Sequence, residues 1–271
     1  MKTPALPLAA RLAAARLDGA VVVADPADRP VDLAAAYAVQ RDVTALLGPV
    51  SDAWKVGSTS AAAQARLGTT EPGAARVPAR FRLHSGASIP VHAAHDLWVE
   101  AEFALRLGAD LPPRAAPYTK ADVLAAIDGV APALEIVGSR LSGGLSGSGR
   151  LLVTADGGAN VALVTGDVMT GWRAFDLPGH GVRLRRNDAA EAAGTGEQAL
   201  GDPVNVLLWI ANFQRLRDGL CAGALVSTGT CTGLVRVGPG DRLVGDFGDI
   251  GLVEARLTGA NSSCVAAEPV P

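Results

Sequence analysis

Cysteine, histidine and surplus basic charge are all scarce in this chain. Its 271 residues include 3 Cys and 4 His. Cys221, Cys231 and Cys264 contain no Cys-x-x-Cys pair. That odd set argues against a disulfide framework and against a thiolate zinc site, and suits core residues in a reducing cytoplasm. Lys and Arg total 24 against 27 Asp and Glu, a formal net charge of −3, which carries no electrostatic footprint for nucleic acid. No apolar run approaches the roughly 20 residues needed to cross a bilayer. Lys2 precedes an Ala/Leu-rich run, but Arg11 and Arg16 interrupt it, so an amphipathic helix is expected there rather than a signal peptide. Gly194-Thr195-Gly196 continues into neither a dinucleotide fingerprint nor a P-loop, and no Gly-x-Ser-x-Gly elbow occurs. His92 and His95 are close in sequence but lack matched metal-ligand partners, and are expected at the surface.

What is present is apolar and rich in turns: 49% hydrophobic residues, with 32 Gly and 17 Pro. That is enough chain to bury a sizeable core and too little net charge for disorder. Residues 5–18 read as a helix ending near Gly19, and Asp32 can cap a second through Leu47. Later helices are expected over Lys120–Gly129 and Pro203–Leu220. Short apolar or alternating runs read as strands at Trp98–Leu107, Leu134–Val137, Leu151–Thr154, Val161–Val164, Leu225–Thr228, Leu234–Val237 and Gly251–Leu257. Arg183, Arg185 and Arg186 suit alternation on a strand, and the Gly/Ser-rich segment Ser142–Arg150 reads as a mobile loop. The order predicts a helical N-terminal arm over residues 1–50 and a β-rich α+β body over 51–271.

Four local features can carry chemistry. In Trp98–Leu105, Glu100 and Glu102 share one face of a strand. Two such carboxylates repel unless a cation lies between them, so they are either divalent-metal ligands or a solvent-facing edge. Glu135 is embedded in the apolar run Ala133–Val137. Burial demands a partner, either a metal ion or Arg140. With three carboxylates the metal would be a hard, oxygen-preferring ion, Mg2+ or Mn2+. Lys55 in Trp54-Lys55-Val56-Gly57 is either a desolvated lysine that titrates downward and shuttles protons, or a surface lysine lying over Trp54. Ser227-Thr228-Gly229-Thr230 ends a strand with a hydroxyl and backbone N–H groups suited to an oxyanion, or is an ordinary turn.

Taken in order, these motifs resemble the fumarylacetoacetate hydrolase superfamily, in its 2-keto-4-pentenoate hydratase and 4-oxalocrotonate decarboxylase branch. The resemblance runs from Ala35 to Leu257. It includes Ala35–Gln40, Trp54-Lys55-Val56-Gly57, Gln64-x-x-Leu67-Gly68, Val99–Glu102, Pro132–Arg140 and Ala155-Asp156. It continues through Leu200-Gly201-x-Pro203-x-Asn205, Thr228-Gly229-Thr230 and Asp246-Phe247-Gly248-x-x-Gly251.

The resemblance implies packed sheets with a helical N-terminal extension, assembled as a homo-oligomer; the cytoplasm is expected from the cysteine usage above. It implies that Glu100, Glu102 and Glu135 hold Mg2+ or Mn2+, that Lys55 is catalytic, and that Thr230, Ser58 and Asp156 lie on the substrate side. The implied reaction adds water to a small 2-hydroxy-2,4-dienoate or 2-oxo-4-enoate, giving a 4-hydroxy-2-oxo acid in aromatic meta-cleavage catabolism. The alternatives are decarboxylation of a 2-oxo-dioate by the same metal site, or a weakened member acting as partner subunit to a related pathway enzyme. The chain departs from the family in three places. Gly73 stands where an aspartate is usual, Ser58 where leucine is common, and a Gly/Ser segment with Asp156–Asn160 replaces the usual Asp-Trp and Asp-Asn-x-Ser stretches.

Overall fold

The computed structural model describes residues 6–260; Cys264 lies outside them. The chain opens with helix α1 (Leu8–Asp18), closed by Gly19 in the left-handed region, and α2 (Leu33–Leu46). The Asp32 carboxylate caps α2 by accepting from the Ala35 N–H at 2.8 Å. Then follow β1 (Val50–Gly57), α3 (Ala61–Leu67), β2 (Gly73–Pro78), β3 (Arg82–His84), β4 (Ala87–Val91) and β5 (Trp98–Leu107). Next come α4 (Lys120–Ala126), β6 (Ile127–Val137), α5 (Gly144–Gly147), α6 (Gly149–Ala155) and β7 (Asn160–Thr165). The chain continues with β8 (Gly181–Arg186), β9 (Ala189–Thr195), α7 (Pro203–Gln214), β10 (Leu225–Thr230), β11 (Val235–Arg236), β12 (Arg242–Asp246) and β13 (Leu252–Gly259).

The strands form two sheets. The larger has the order β2-β1-β10-β5-β6-β7-β3, with β11 also paired to β5; the smaller is β4-β13-β12-β8-β9. Alternation along the strands decides what each face does. On β5, Val99, Ala101, Phe103, Leu105 and Leu107 point into the main core, where they meet residues such as Leu184, Leu243 and Val253 of the smaller sheet. Their neighbours Glu100, Glu102 and Ala104 take the other face. Small side chains carpet that second face: Ala53, Ala104, Ala131 and Ala133 share a separate cluster with Val77 and Leu225. Two packed sheets, with α4 and α7 packed into the main core and the N-terminal helices set apart from it, make this an α+β fold. Helices α1, α2 and α6 build a core of their own around Leu12, Val43, Leu141 and Leu152, and α2 and α6 lean on β2.

Several local expectations are corrected. Leu151–Thr154 is helical, inside α6, and the Ser142–Arg150 segment carries α5 and the start of α6 rather than forming a loop. A four-residue apolar run does not by itself distinguish a buried strand from a buried helix. Residues 127–129 open β6 rather than ending a helix, and α7 stops at Gln214. Cys231 is buried but Cys221 is exposed. His95 is buried rather than at the surface, and its ring contacts Ala20 O at 3.0 Å while His92 contacts Leu17 O at 3.2 Å. The two histidines thus hold the end of α1. Arg183 and Arg185 do alternate with buried Val182 and Leu184 on β8.

Candidate metal centre

The register of the large sheet brings the acidic residues together. Glu100 and Glu102 lie on one face of β5, and Glu135 of β6 is the direct cross-strand partner of Glu100. One carboxylate oxygen from each of the three lies within 4.8 Å of the others. Glu102 and Glu135 are fully buried and Glu100 is half-buried. Burial first, and then the charge of Glu135, pushes Glu100 up to about 7 against the pull of Lys55. The same causes, joined by Glu100, hold Glu102 well above the ordinary carboxylate range, although the Ser227 hydroxyl opposes them.

Donors satisfy only part of this cluster. A β-bulge in β10 between Ser227 and Thr230, with Gly229 at φ 84°, turns the Gly229 N–H onto Glu102 Oε2 at 3.0 Å. A Cβ at Gly229 would strike the Thr59 side chain. The Ser227 hydroxyl donates to the same oxygen. The oxyanion that this strand end serves is therefore the protein's own carboxylate. Asn160 Nδ2 donates to Glu135 Oε1 at 2.8 Å. Glu102 Oε1 and Glu135 Oε2 remain buried without any hydrogen-bond partner, and burying an uncompensated anionic oxygen costs several kcal/mol. Three convergent carboxylates with two orphaned oxygens fit a hard divalent cation such as Mg2+ or Mn2+.

Lys55 stands beside this cluster, on β1. Its Nζ donates to Gly158 O at 2.9 Å and lies 3.3 Å from Glu135 Oε1. Gly57 and Gly158 make the room: a Cβ at either would come within 3.0 to 3.2 Å of the lysine side chain. Burial opposes the charge of Lys55, yet Glu135, Glu100 and Glu102 together outweigh it, and its pKa is raised. The expected downward titration is therefore corrected: neighbouring carboxylates win over desolvation.

The remaining expected residues take different places. Ser58, at φ 57°, lines the cleft that opens onto Lys55 and Glu100. Thr230 is the register partner of Glu102, and its hydroxyl accepts from the Gly233 N–H at 2.7 Å within a tight turn. Asp156 faces away from the cleft. It binds the fully buried Arg140, whose Nε donates to Asp156 Oδ1 at 2.8 Å and whose backbone N–H donates to Oδ2 at 3.1 Å. Arg140 also donates to Gly138 O and Asn160 O at 2.6 and 3.0 Å. Arg140 is thus the partner of Asp156 and not of Glu135. Sequence reasoning missed Asn160, whose carboxamide links Arg16 to Glu135 through the Arg16 Nη2 donation to Oδ1 at 3.0 Å. It also missed Arg150, which lines the cleft.

The cleft has a volume of about 120 Å³, with Tyr37, Gln40, Arg66 and Arg150 on its walls. That is the scale of a small organic acid.

Comparison with known proteins agrees with this architecture. Residues 53–258 match the fumarylacetoacetate (FAA) hydrolase C-terminal family. The chain is 33% identical over 215 residues to a 2-keto-4-pentenoate hydratase of Paraburkholderia xenovorans (strain LB400), covering 79% of this chain and 78% of that protein. It is 29% identical over 204 residues to a 4-oxalocrotonate decarboxylase of Pseudomonas putida, covering 75% of this chain and 76% of that one. The solved structure of 4-oxalocrotonate decarboxylase from Pseudomonas putida G7, complexed with magnesium and adipate, superposes with a TM-score of 0.81 at 27% identity. That superposition covers 92% of this chain and 95% of the other. With its motifs, fold and family match in agreement, the chain belongs to the fumarylacetoacetate hydrolase family.

Proposed function

We propose that this chain is a divalent-metal-dependent hydratase that adds water to a small 2-hydroxy-2,4-dienoate, by way of its 2-oxo tautomer, to give a 4-hydroxy-2-oxo acid. The observation that carries the reading is the buried Glu100–Glu102–Glu135 cluster with its two orphaned oxygens beside Lys55. Its relatives support the reaction class. Glu100, Glu102 and Glu135 would hold the cation, Mg2+ or Mn2+. When bound, that ion supplies Lewis-acid stabilisation of negative charge at the C2 oxygen of a 2-oxo acid.

The protein's own groups do the rest. Lys55 Nζ, fixed by Gly158 O and Glu135, holds a proton at the mouth of the cluster. Ketonisation moves the enol proton from the C2 oxygen to C5, and conjugate addition of water then places OH on C4 and H on C3. Lys55 is the group positioned to exchange those protons. Asn160 fixes the Glu135 carboxylate, and Ser227 with Gly229 fixes that of Glu102. Ser58 lines the approach to Lys55, and Thr230 shapes the turn beside Glu102. Among the described residues no helix is long and apolar enough to cross a membrane; the working assembly we propose is a cytoplasmic homo-oligomer.

The test is incubation of the Mg2+-loaded protein with freshly prepared 2-hydroxypenta-2,4-dienoate, following loss of the dienol absorbance and product mass. Metal-dependent gain of one water supports the hydratase. Persistence of the dienol overturns it, and loss of carbon dioxide from an added 2-oxo-dioate in the same experiment assigns decarboxylation instead.

A further inference from the structure

Asn160 stands between the metal centre and a second cavity: it donates to Glu135 on one side and accepts from Arg16 on the other. This cavity has a volume of about 180 Å³ and shares no lining residue with the cleft. Arg16 of α1, Arg80 between β2 and β3, and Arg140 after β6 line it, and among the described residues no Asp or Glu does. Arg140 is matched by Asp156. Arg16 and Arg80 form no ion pair among the described residues. Arg16 is buried, and its Nη2 donates to Asn160 Oδ1 at 3.0 Å and to Val161 O at 3.1 Å, while its Nε has no partner. Asp156 and Glu135 draw on Arg16 from farther off, but Arg140 engages the first, and Lys55 with Asn160 the second. Burial, and then the charge of Arg140, outweigh both acids and lower the pKa of Arg16. A buried guanidinium without an anion is costly.

The surrounding side chains say what kind of anion fits. The Arg16 and Arg80 guanidiniums both lie over the Phe81 ring, their Cζ atoms 4.1 and 5.5 Å from its centroid, so one aromatic side chain holds two cations. Leu83, Ile89, Val91 and Val161 make much of the remaining wall apolar. His92 and His95 turn Nε2 to the carbonyls of Leu17 and Ala20 and bring no negative charge. Arg80, Ser88 and Pro90 are exposed, so the cavity is reached from solvent past them. An apolar cavity of about 150 Å³ is enough for a benzene ring, and this one adds two guanidiniums beside Phe81. The guanidinium fork matches the two oxygens of a carboxylate, and the apolar wall matches an uncharged body.

We propose that this cavity is a second ligand site, taking a small carboxylic acid whose body is an apolar ring or short apolar chain. Arg16 and Arg80 bind its carboxylate, and the wall from Leu83 to Val91 packs against its body. The site is separate from the carboxylate cluster, needs no metal, and does not depend on which reaction the cluster performs.

The experiment is equilibrium dialysis of radiolabelled benzoate against the full chain, once loaded with Mg2+ and once in a chelator. One benzoate per chain is expected in both conditions. Arg80→Ala, a change at an exposed position, should weaken binding about 10- to 100-fold, as expected for a lost charge-assisted hydrogen bond. The thermal midpoint of the free variant should match wild type, and Arg80→Lys should restore part of the affinity. Benzamide keeps the shape of benzoate without its charge, and inorganic phosphate carries charge without an apolar body; both should compete with benzoate only weakly. Absence of benzoate binding overturns the proposal, as does binding in Arg80→Ala equal to wild type. Binding that vanishes in the chelator places benzoate at the metal centre and overturns it too. Phosphate that competes as well as benzoate reduces the cavity to a general anion site and overturns the assignment to an apolar acid.

Discussion

Glu100 and Glu135 face each other directly across the β5–β6 pair, two carboxylates at one rung of an antiparallel ladder. Like charges at such positions repel, and here Glu102 adds a third acid on the same face. Lys55 offsets one charge and leaves two buried oxygens without donors. The sheet core beneath is packed with Phe103, Leu105 and Leu134, none of them exposed to solvent. The fold therefore holds an electrostatically unfavourable cluster rigid, and a divalent cation converts that repulsion into binding energy.

The metal-free protein should be stabilised by removing one of these charges. Glu102→Gln is expected to raise the thermal midpoint measured in a chelator, because it relieves repulsion while keeping the shape of the side chain. Wild type should gain stability on adding Mg2+, by the linkage of ligand binding to folding, and the variant should gain less. An unchanged response to Mg2+ in the variant would contradict the ligand assignment.

Lys55→Met should lower turnover of the dienol by about 10²- to 10⁴-fold, the usual contribution of a positioned proton-transfer group. Lys55→Arg should not restore it, because a guanidinium keeps its proton at any working pH and cannot exchange it. Stopped-flow measurement on Mg2+-loaded protein checks this, with full turnover in Lys55→Met as the contrary result.

Asp156→Ala should unfold the chain at a much lower denaturant concentration without touching the cleft. It leaves the fully buried Arg140 without its carboxylate, a loss of about 3–5 kcal/mol for a broken buried pair. Urea titration reads the effect. A loss of substrate affinity with stability unchanged would instead return Asp156 to the substrate side.

His95 should make the protein less stable in acid. Burial first lowers its pKa from 6.5 to about 4, so between those values the unfolded chain binds the proton and the native one does not. Stability from this group is complete above about pH 6.5 and is lost as pH falls toward 4. Glu100 and Glu102, whose pKa values are raised, act in the opposite direction. The difference between wild type and His95→Gln isolates the histidine. Urea midpoints from pH 4 to 7 should converge at the acid end; parallel curves would contradict the assignment.

Much of this was legible in the residues. β5 alternates apolar and acidic positions so regularly that its bounds and its two faces follow from the pattern, and the burial of Glu135 follows from its neighbours. What the sequence does not display is what lies opposite. The raised pKa of Lys55 comes from carboxylates two and three strands away in the sheet order. Arg140 chooses Asp156 over Glu135 because the turn at Gly157–Ala159 folds Asp156 back beneath it. Asn160 and Arg150 carried no local signal: each acts on a partner set by tertiary packing, Glu135 for one and the Pro72-Gly73 backbone for the other.

The most direct measurement is calorimetric titration of metal-free protein with Mn2+ and Mg2+, on wild type, Glu102→Gln and Glu135→Gln, with and without 2-oxohexanoate. The account predicts one ion per chain in wild type, tighter binding of the oxo acid when the ion is present, and loss of both in each variant. Equal metal affinity in the three proteins, or oxo acid binding indifferent to the metal, would contradict it.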